Sequence, residues 1–198
     1  MQLLLSPTSP YARAVRIALM LKGLDSECTT RWVDPASDTP ELVEANPMSR
    51  VPTLLLDDGT ALTETALILQ YLDRRVPNPP LIPSANANTE LAVAGRALAM
   101  LDAALWIMNN RKYLGAEANN NALGERRMGT LRRSLEAFRE NPPRPVGQVV
   151  GIGQLLLQVA IEYLEFRLPE LEATKTSGLG DWGKPLRKLE PFQLTEPH

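Results

Sequence analysis

Three short stretches hold residue types that can bind or activate a small polar ligand. Ser6-Pro7-Thr8-Ser9-Pro10 sets three hydroxyls at the start of a helix. Arg50-Val51-Pro52-Thr53 puts an X-Pro bond directly before a strand, and Thr63-Glu64-Thr65-Ala66 opens another helix. With no His or Lys nearby to act as base, a hydroxyl in the first stretch is a poor nucleophile. It can still donate a hydrogen bond to an anion held at the helix N-terminus. Ser9 or Thr8 as a plain helix cap, with Pro10 at the first helical position, explains the same residues. In the second stretch a cis Val51-Pro52 bond would turn backbone groups sideways toward an extended, peptide-like ligand. The alternative is a proline that merely opens a strand. In the third, free N–H groups and the Thr65 hydroxyl suit a carboxylate while Glu64 faces an ammonium, which together would hold an α-amino acid head group. Simple N-capping by Thr63 is the competing account.

What the chain lacks is equally informative. Its 198 residues carry one Cys and one His, Cys28 and His198. That excludes an internal disulfide and a Cys/His zinc or iron–sulfur centre, so no metal is expected. It also makes a Ser-His-Asp or Cys-His hydrolase a poor fit, because the His is the last residue. A net charge of −2, with Lys and Arg scattered among acids, gives no basic stripe for nucleic acid. The first residues lack a basic segment ahead of Leu3-Leu4-Leu5, and no stretch reads as a run of about 20 apolar residues. No membrane partner and a cytoplasmic location are therefore expected. Cys28 lies in a β-rich stretch and reads as a buried, inert thiol.

These stretches need elements to position them. Gln2–Leu5 reads as a strand, and Ala14, Ile17, Ala18 and Leu21 as the buried face of a helix that Lys22-Gly23 stops. Residues 27–33 read as a second strand and residues 40–45 as a short helix ended by Asn46-Pro47. Asp57-Asp58-Gly59 joins two strands as a hairpin, and a helix is expected from Glu64 to about Arg75. The order is βαβ followed by αββα. Val76-Pro77-Asn78-Pro79-Pro80 begins a proline-dense linker. Beyond it the period is helical throughout: about residues 89–113 with Leu91, Ala94, Leu98, Leu101, Leu105 and Met108, residues 125–140 with an arginine-laced outer face, and residues 151–168, apolar almost all round and so expected at the centre. The expected division is 1–76, a linker at 77–88, and an all-helical 89–198.

TSPYARAVRIAL, NPMSRVPTLLLDDGTALTETALILQYLD, the linker and EYLEFRLPEL together resemble the bacterial cytosolic glutathione S-transferases. The resemblance implies an α/β plus all-α fold, with an N-terminal thioredoxin-like βαβ-αββα domain followed by an all-helical C-terminal domain. It implies glutathione as co-substrate and a homodimer. It also implies a cis Pro52, Val51 pairing with the cysteinyl part, Glu64 and Thr65 holding the γ-glutamyl end, and Arg50 near the glycyl end. Ser9, with Thr8 or Ser6 as substitute, would stabilise the thiolate. Cys28 does not match the family's cysteine, and Ser9 stands where disulfide-reducing classes carry Cys, which favours conjugation to a small hydrophobic electrophile. A glutathione peroxidase or reductase and a non-catalytic binding member are the alternatives.

Two departures stand out. Where the family commonly carries a Ser/Thr-x-x-Asp capping box at the central helix, this chain reads Gly151-Ile152-Gly153-Gln154, without the hydroxyl half, so lower stability or slower folding is expected. The stretch from Asp181 to Phe192 is short and irregular, which suggests an open second-substrate pocket. Tyr11, Met100, Ala104, Ile107 and Arg111 are the candidates to line it, although an apolar stripe of this kind also describes a core.

Overall fold

A computed structural model gives the fold and describes residues 1–145, 147 and 149–197, so the terminal His198 lies outside the described residues. Four strands form one mixed sheet in the order β2-β1-β3-β4: β1 Gln2–Leu5, β2 Thr29–Trp32, β3 Thr53–Leu55 and β4 Ala61–Thr63. β1 runs parallel to β2 and antiparallel to β3, and β3 runs antiparallel to β4. Helices α1 (Pro10–Leu21), α2 (Pro40–Ala45) and α3 (Thr65–Arg75) complete this thioredoxin-like unit. Leu3, Leu4 and Leu5 are wholly buried, as expected of an inner strand covered on both faces. Gly23 and Gly59 sit at φ +64° and +85°, where a β-carbon would be strained, and they end α1 and close the hairpin.

Cys28 is buried but lies just outside β2, because Asp25–Glu27 winds a 3-10 turn whose last hydrogen bond closes on the Cys28 N–H. Burial raises its thiol pKa. Lys22, whose side chain is wholly buried, ties α1 to the chain leaving α3: its ammonium reaches Asp73 at 2.6 Å and donates to the Val76 and Pro79 carbonyls.

A second compact unit spans Ile82–Leu189. Helices α4 (Ala87–Leu114) and α5 (Ala122–Glu140) pack together, and α4 packs along α6 (Ile152–Arg167), followed by the short α7 (Ala173–Ser177), α8 (Leu179–Trp182) and α9 (Lys184–Arg187). α6 is buried over nearly its whole length, as its apolar sequence requires.

α4 departs from expectation twice. Its buried ridge is Glu90, Ala94, Ala97, Leu101 and Ala104 rather than a leucine stripe from Leu91, which is exposed; small side chains there let α6 approach closely. Ser84–Leu114 is also apolar and long enough, by length and composition alone, to cross a membrane, against the expectation that no stretch would be. Here its buried face is covered by α6.

The missing cap of α6 has a replacement. Gln154 Oε1 accepts from the Gly151 N–H at 3.2 Å, which is one half of the box. The other half comes from α4: Glu90 Oε2 accepts from the Gly153 N–H at 2.8 Å and the Gln154 N–H at 3.4 Å. The expected deficit is thereby filled by a carboxylate at the positive end of the helix. A β-carbon on Gly151 would stand 2.2 Å from Glu90 Oε2, so the glycine is what admits it.

The chain returns to the first unit at Glu190, so the helical unit does not run to the end. α10 (Glu190–Gln193) packs on α1, with Phe192 buried.

Candidate functional site

The sheet register brings the three chemistry-bearing stretches together. Leu4 of β1 pairs with Thr53 of β3, and Thr53 pairs with Thr63 of β4. Because β3 is antiparallel to both neighbours, the end of β1, the start of β3 and the end of β4 share one end of the sheet. The Ser6–Pro10 loop leaves there, Val51-Pro52 enters there, and Glu64-Thr65 leaves there. With strands about 4.8 Å apart, two strand spacings span about 10 Å.

Ser9 is the N-cap of α1 and Pro10 its first helical residue. Its Oγ accepts the Ala12 N–H at 3.2 Å, and its carbonyl accepts the Arg13 N–H at 3.0 Å. The capping account of Ser9 therefore holds, and it is compatible with a ligand role, because an accepting hydroxyl keeps its own hydrogen to donate. Ser6 is half-buried and Thr8 exposed.

The Val51-Pro52 bond is cis. Val51 is partly buried against Leu4, Val33 and Leu42, two residues ahead of the ladder that opens at Thr53. The loop carrying it is organised by Asn46, which is buried: its Nδ2 donates to the Arg50 carbonyl at 3.0 Å and to Thr53 Oγ1 at 3.2 Å, while Oδ1 accepts the Met48 N–H at 3.1 Å. Asn46 has more to do than end α2, as its sequence suggested. The local signal was an Asn ahead of a proline, the habit of a residue that turns the chain through its own side chain.

At α3 simple capping by Thr63 is not what forms. Thr63 is held in the β4 ladder opposite Thr53, so the corner falls to Glu64, which takes φ +64° and ψ 118°, and its side chain makes no capping bond. A non-glycine residue at positive φ away from the left-handed helical well costs on the order of 1–3 kcal/mol and is characteristic of ligand sites. Thr65 is buried at the first helical position. Exposed Glu64 Oε1 stands 3.4 Å from Arg50 Nη1, also exposed, an ion pair held loosely in water.

The candidates for a second-substrate pocket do not stay together as expected. Met100, Ala104 and Ile107, all on α4, are buried in this structure. Arg111 is paired with Glu170 at 2.6 Å. Burial raises the Glu170 pKa, but the hydrogen bond from Arg111, a backbone hydrogen bond and the charges of Arg111 and Arg132 together leave it lowered. Tyr11, half-buried, lies in the first turn of α1 beside Ser9.

Residues 8–75, which contain the first stretch from Thr8 onward and the whole of the other two, match the family model of the glutathione S-transferase N-terminal domain. A glutathione transferase family member from Pseudomonas fluorescens Pf-5, crystallised with bound glutathione, is 25% identical and superposes with a TM-score of 0.92 over 100% of this chain and 98% of that one. Residues 8–75 thus carry the glutathione S-transferase N-terminal domain, and the chain as a whole is similar to a glutathione transferase family member. A stringent starvation protein A homolog from Pasteurella multocida is 41% identical over 83 residues, 42% of this chain and 38% of that protein. A probable glutathione S-transferase GSTU1 from Oryza sativa subsp. japonica is 33% identical over 135 residues, 65% of this chain and 57% of that protein. The chain thus aligns with only part of the length of these curated relatives.

Proposed function

We propose that this chain is a glutathione transferase that binds glutathione along the shared end of the sheet and presents its thiol, ionised, to a small hydrophobic electrophile. The observation that carries the reading is the Leu4, Thr53, Thr63 register, which lines up a hydroxyl at a helix start, a cis proline and an acidic helix start across about 10 Å. A tripeptide extended at about 3.3–3.6 Å per residue has the same reach.

Each residue then has a task. Thr65 and the first N–H groups of α3 take the γ-glutamyl carboxylate, and Glu64 takes its ammonium, exchanging the loose contact with Arg50 for a ligand charge. Arg50 is thereby released toward the glycyl carboxylate. Val51 offers its backbone to the cysteinyl unit beside cis Pro52. Ser9, with Thr8 in the same loop, donates to the sulfur at the positive end of α1. A thiol of pKa about 8.5 is only about 3% ionised at pH 7; lowering it by about 2 units makes about three quarters of it thiolate, a stabilisation of about 2.7 kcal/mol.

The test is calorimetric titration with glutathione, joined to ultraviolet titration of the bound thiolate. Wild type should bind at or below millimolar glutathione, and Ser9→Ala should raise the apparent thiol pKa by about 1–2 units, the loss of one strong donor. An unchanged pKa rejects Ser9. Absence of binding rejects the reading altogether, and binding with no conjugation of aryl halides leaves the peroxidase or binding-only alternatives. A homodimer is part of the proposal, and light scattering at a mass near 21.8 kDa would remove it.

A further inference from the structure

Arg13 is nearly all buried, yet it is a cation one turn into the helix that Ser9 caps, and its partners come from the far end of the chain. Its Nε donates to Thr195 Oγ1 at 3.3 Å and its Nη2 to the Phe192 carbonyl at 3.3 Å, across 182 and 179 residues of sequence. Thr195, also buried, donates in turn to the Pro191 carbonyl at 2.7 Å, and Phe192 is 2% exposed. The tail is thus docked by a buried aromatic ring and by a buried guanidinium whose hydrogen bonds reach one of its carbonyls and one of its hydroxyls. Arg13 also shares a single helical turn with Ser9: the Arg13 N–H donates to the Ser9 carbonyl at 3.0 Å and the Ala12 N–H to Ser9 Oγ at 3.2 Å. Whatever fixes Arg13 fixes the turn from which the Ser9 hydroxyl points.

We propose that the segment from Glu190 to Glu196 is a strap that belongs to the glutathione site, with Arg13 the positioning residue that transmits its grip to Ser9. This rests on the reading of the site given under Proposed function. A hydrogen bond and a helix dipole act on a sulfur only within tight geometric limits, and small misplacements caused outside the reacting groups cost up to about a hundredfold. Arg13 touches no reacting atom and acts through the first turn of α1 alone. Loss of the strap therefore affects thiol ionisation as well as stability.

The experiment uses the full chain with Arg13→Met, Arg13→Lys and Thr195→Val, each measured at a temperature where circular dichroism shows it folded. The readouts are glutathione affinity by calorimetry and the apparent pKa of the bound thiol by ultraviolet absorbance. Arg13→Met should weaken binding about tenfold and raise the bound-thiol pKa by about one unit. Thr195→Val, which removes one hydroxyl and spares the fold if Arg13→Met does not, should move both in the same direction by about threefold and about half a unit. Arg13→Lys should restore part of each. Variants that melt earlier but bind glutathione with wild-type affinity and thiol pKa would overturn the strap and leave the glutathione reading standing. A wild-type chain that binds no glutathione would overturn both.

Discussion

The capping of α6 from another helix makes a quantitative prediction. Glu90 is 7% exposed and accepts two N–H groups of α6, from Gly153 and Gln154. Truncation by Glu90→Ala leaves two buried donors unpaired, at about 1–3 kcal/mol each, and removes a carboxylate from the positive helix end, about 0.3–1 kcal/mol more. Relaxation and entering water lower the sum, so a loss of about 3 kcal/mol is expected, equivalent to about 6–12 °C in melting temperature for a chain of this size. Gly151→Ser alone should also destabilise, because its β-carbon would stand 2.2 Å from Glu90 Oε2 and 2.3 Å from its Cδ and push the carboxylate off the donors. Combining the two changes the sign. With Glu90 truncated the space is open, and Gly151 already has extended backbone angles, φ −79° and ψ 162°, so a serine there can cap the helix in the usual way. The double variant should be at least about 2 kcal/mol more stable than the sum of the singles predicts. Urea unfolding followed by circular dichroism measures all four chains. Gly153→Ala is the control: its β-carbon meets the Glu90 carbonyl at 2.6 Å, backbone that truncation does not remove, so no rescue is expected. Additive effects in the Glu90/Gly151 cycle would refute the reasoning.

Two further outcomes follow from buried ionisable groups. Burial raises the Cys28 pKa, so the native state prefers the thiol; its contribution is whole below the ordinary value of about 8.5 and is lost as pH rises from there through the raised native value. Unfolding free energy should thus fall more steeply above pH of about 8.5 in wild type than in Cys28→Ala, and identical slopes would contradict the assignment. Lys22→Met removes the cation facing Asp73 and two carbonyls and should cost about 3 kcal/mol by urea unfolding, with part recovered on adding Asp73→Asn; a change within about 0.5 kcal/mol would show the contact to be idle.

The parts of the fold that local chemistry decides were legible from the residues. Pro10 and Gly23 bracket α1, Pro40 opens α2 and Asn46-Pro47 closes it, and Asp57-Asp58-Gly59 turns the hairpin, because each acts through its own backbone angles or missing donors. What escaped the sequence depends on partners far along the chain. Nothing near residue 151 announces a carboxylate from residue 90, and nothing near Arg13 announces Thr195. The candidate site divides in the same way. Ser9, Val51-Pro52 and Glu64-Thr65 were visible as residue types suited to a helix start or a turn, whereas the positive-φ Glu64 and the absence of a Thr63 cap follow from strand pairing, which sends Thr63 into the ladder.

The same reasoning explains why the α4 candidates are buried while the three chemistry-bearing stretches converge. A helical period identifies a face but not what covers it; a stripe such as Met100, Ala104 and Ile107 is more often core than pocket, and here all three are buried. The residues that converge are tied instead to strand ends, where pairing fixes position in three dimensions: once β3 lies antiparallel to β1 and β4, Ser9, Pro52 and Glu64 have no freedom to end up elsewhere.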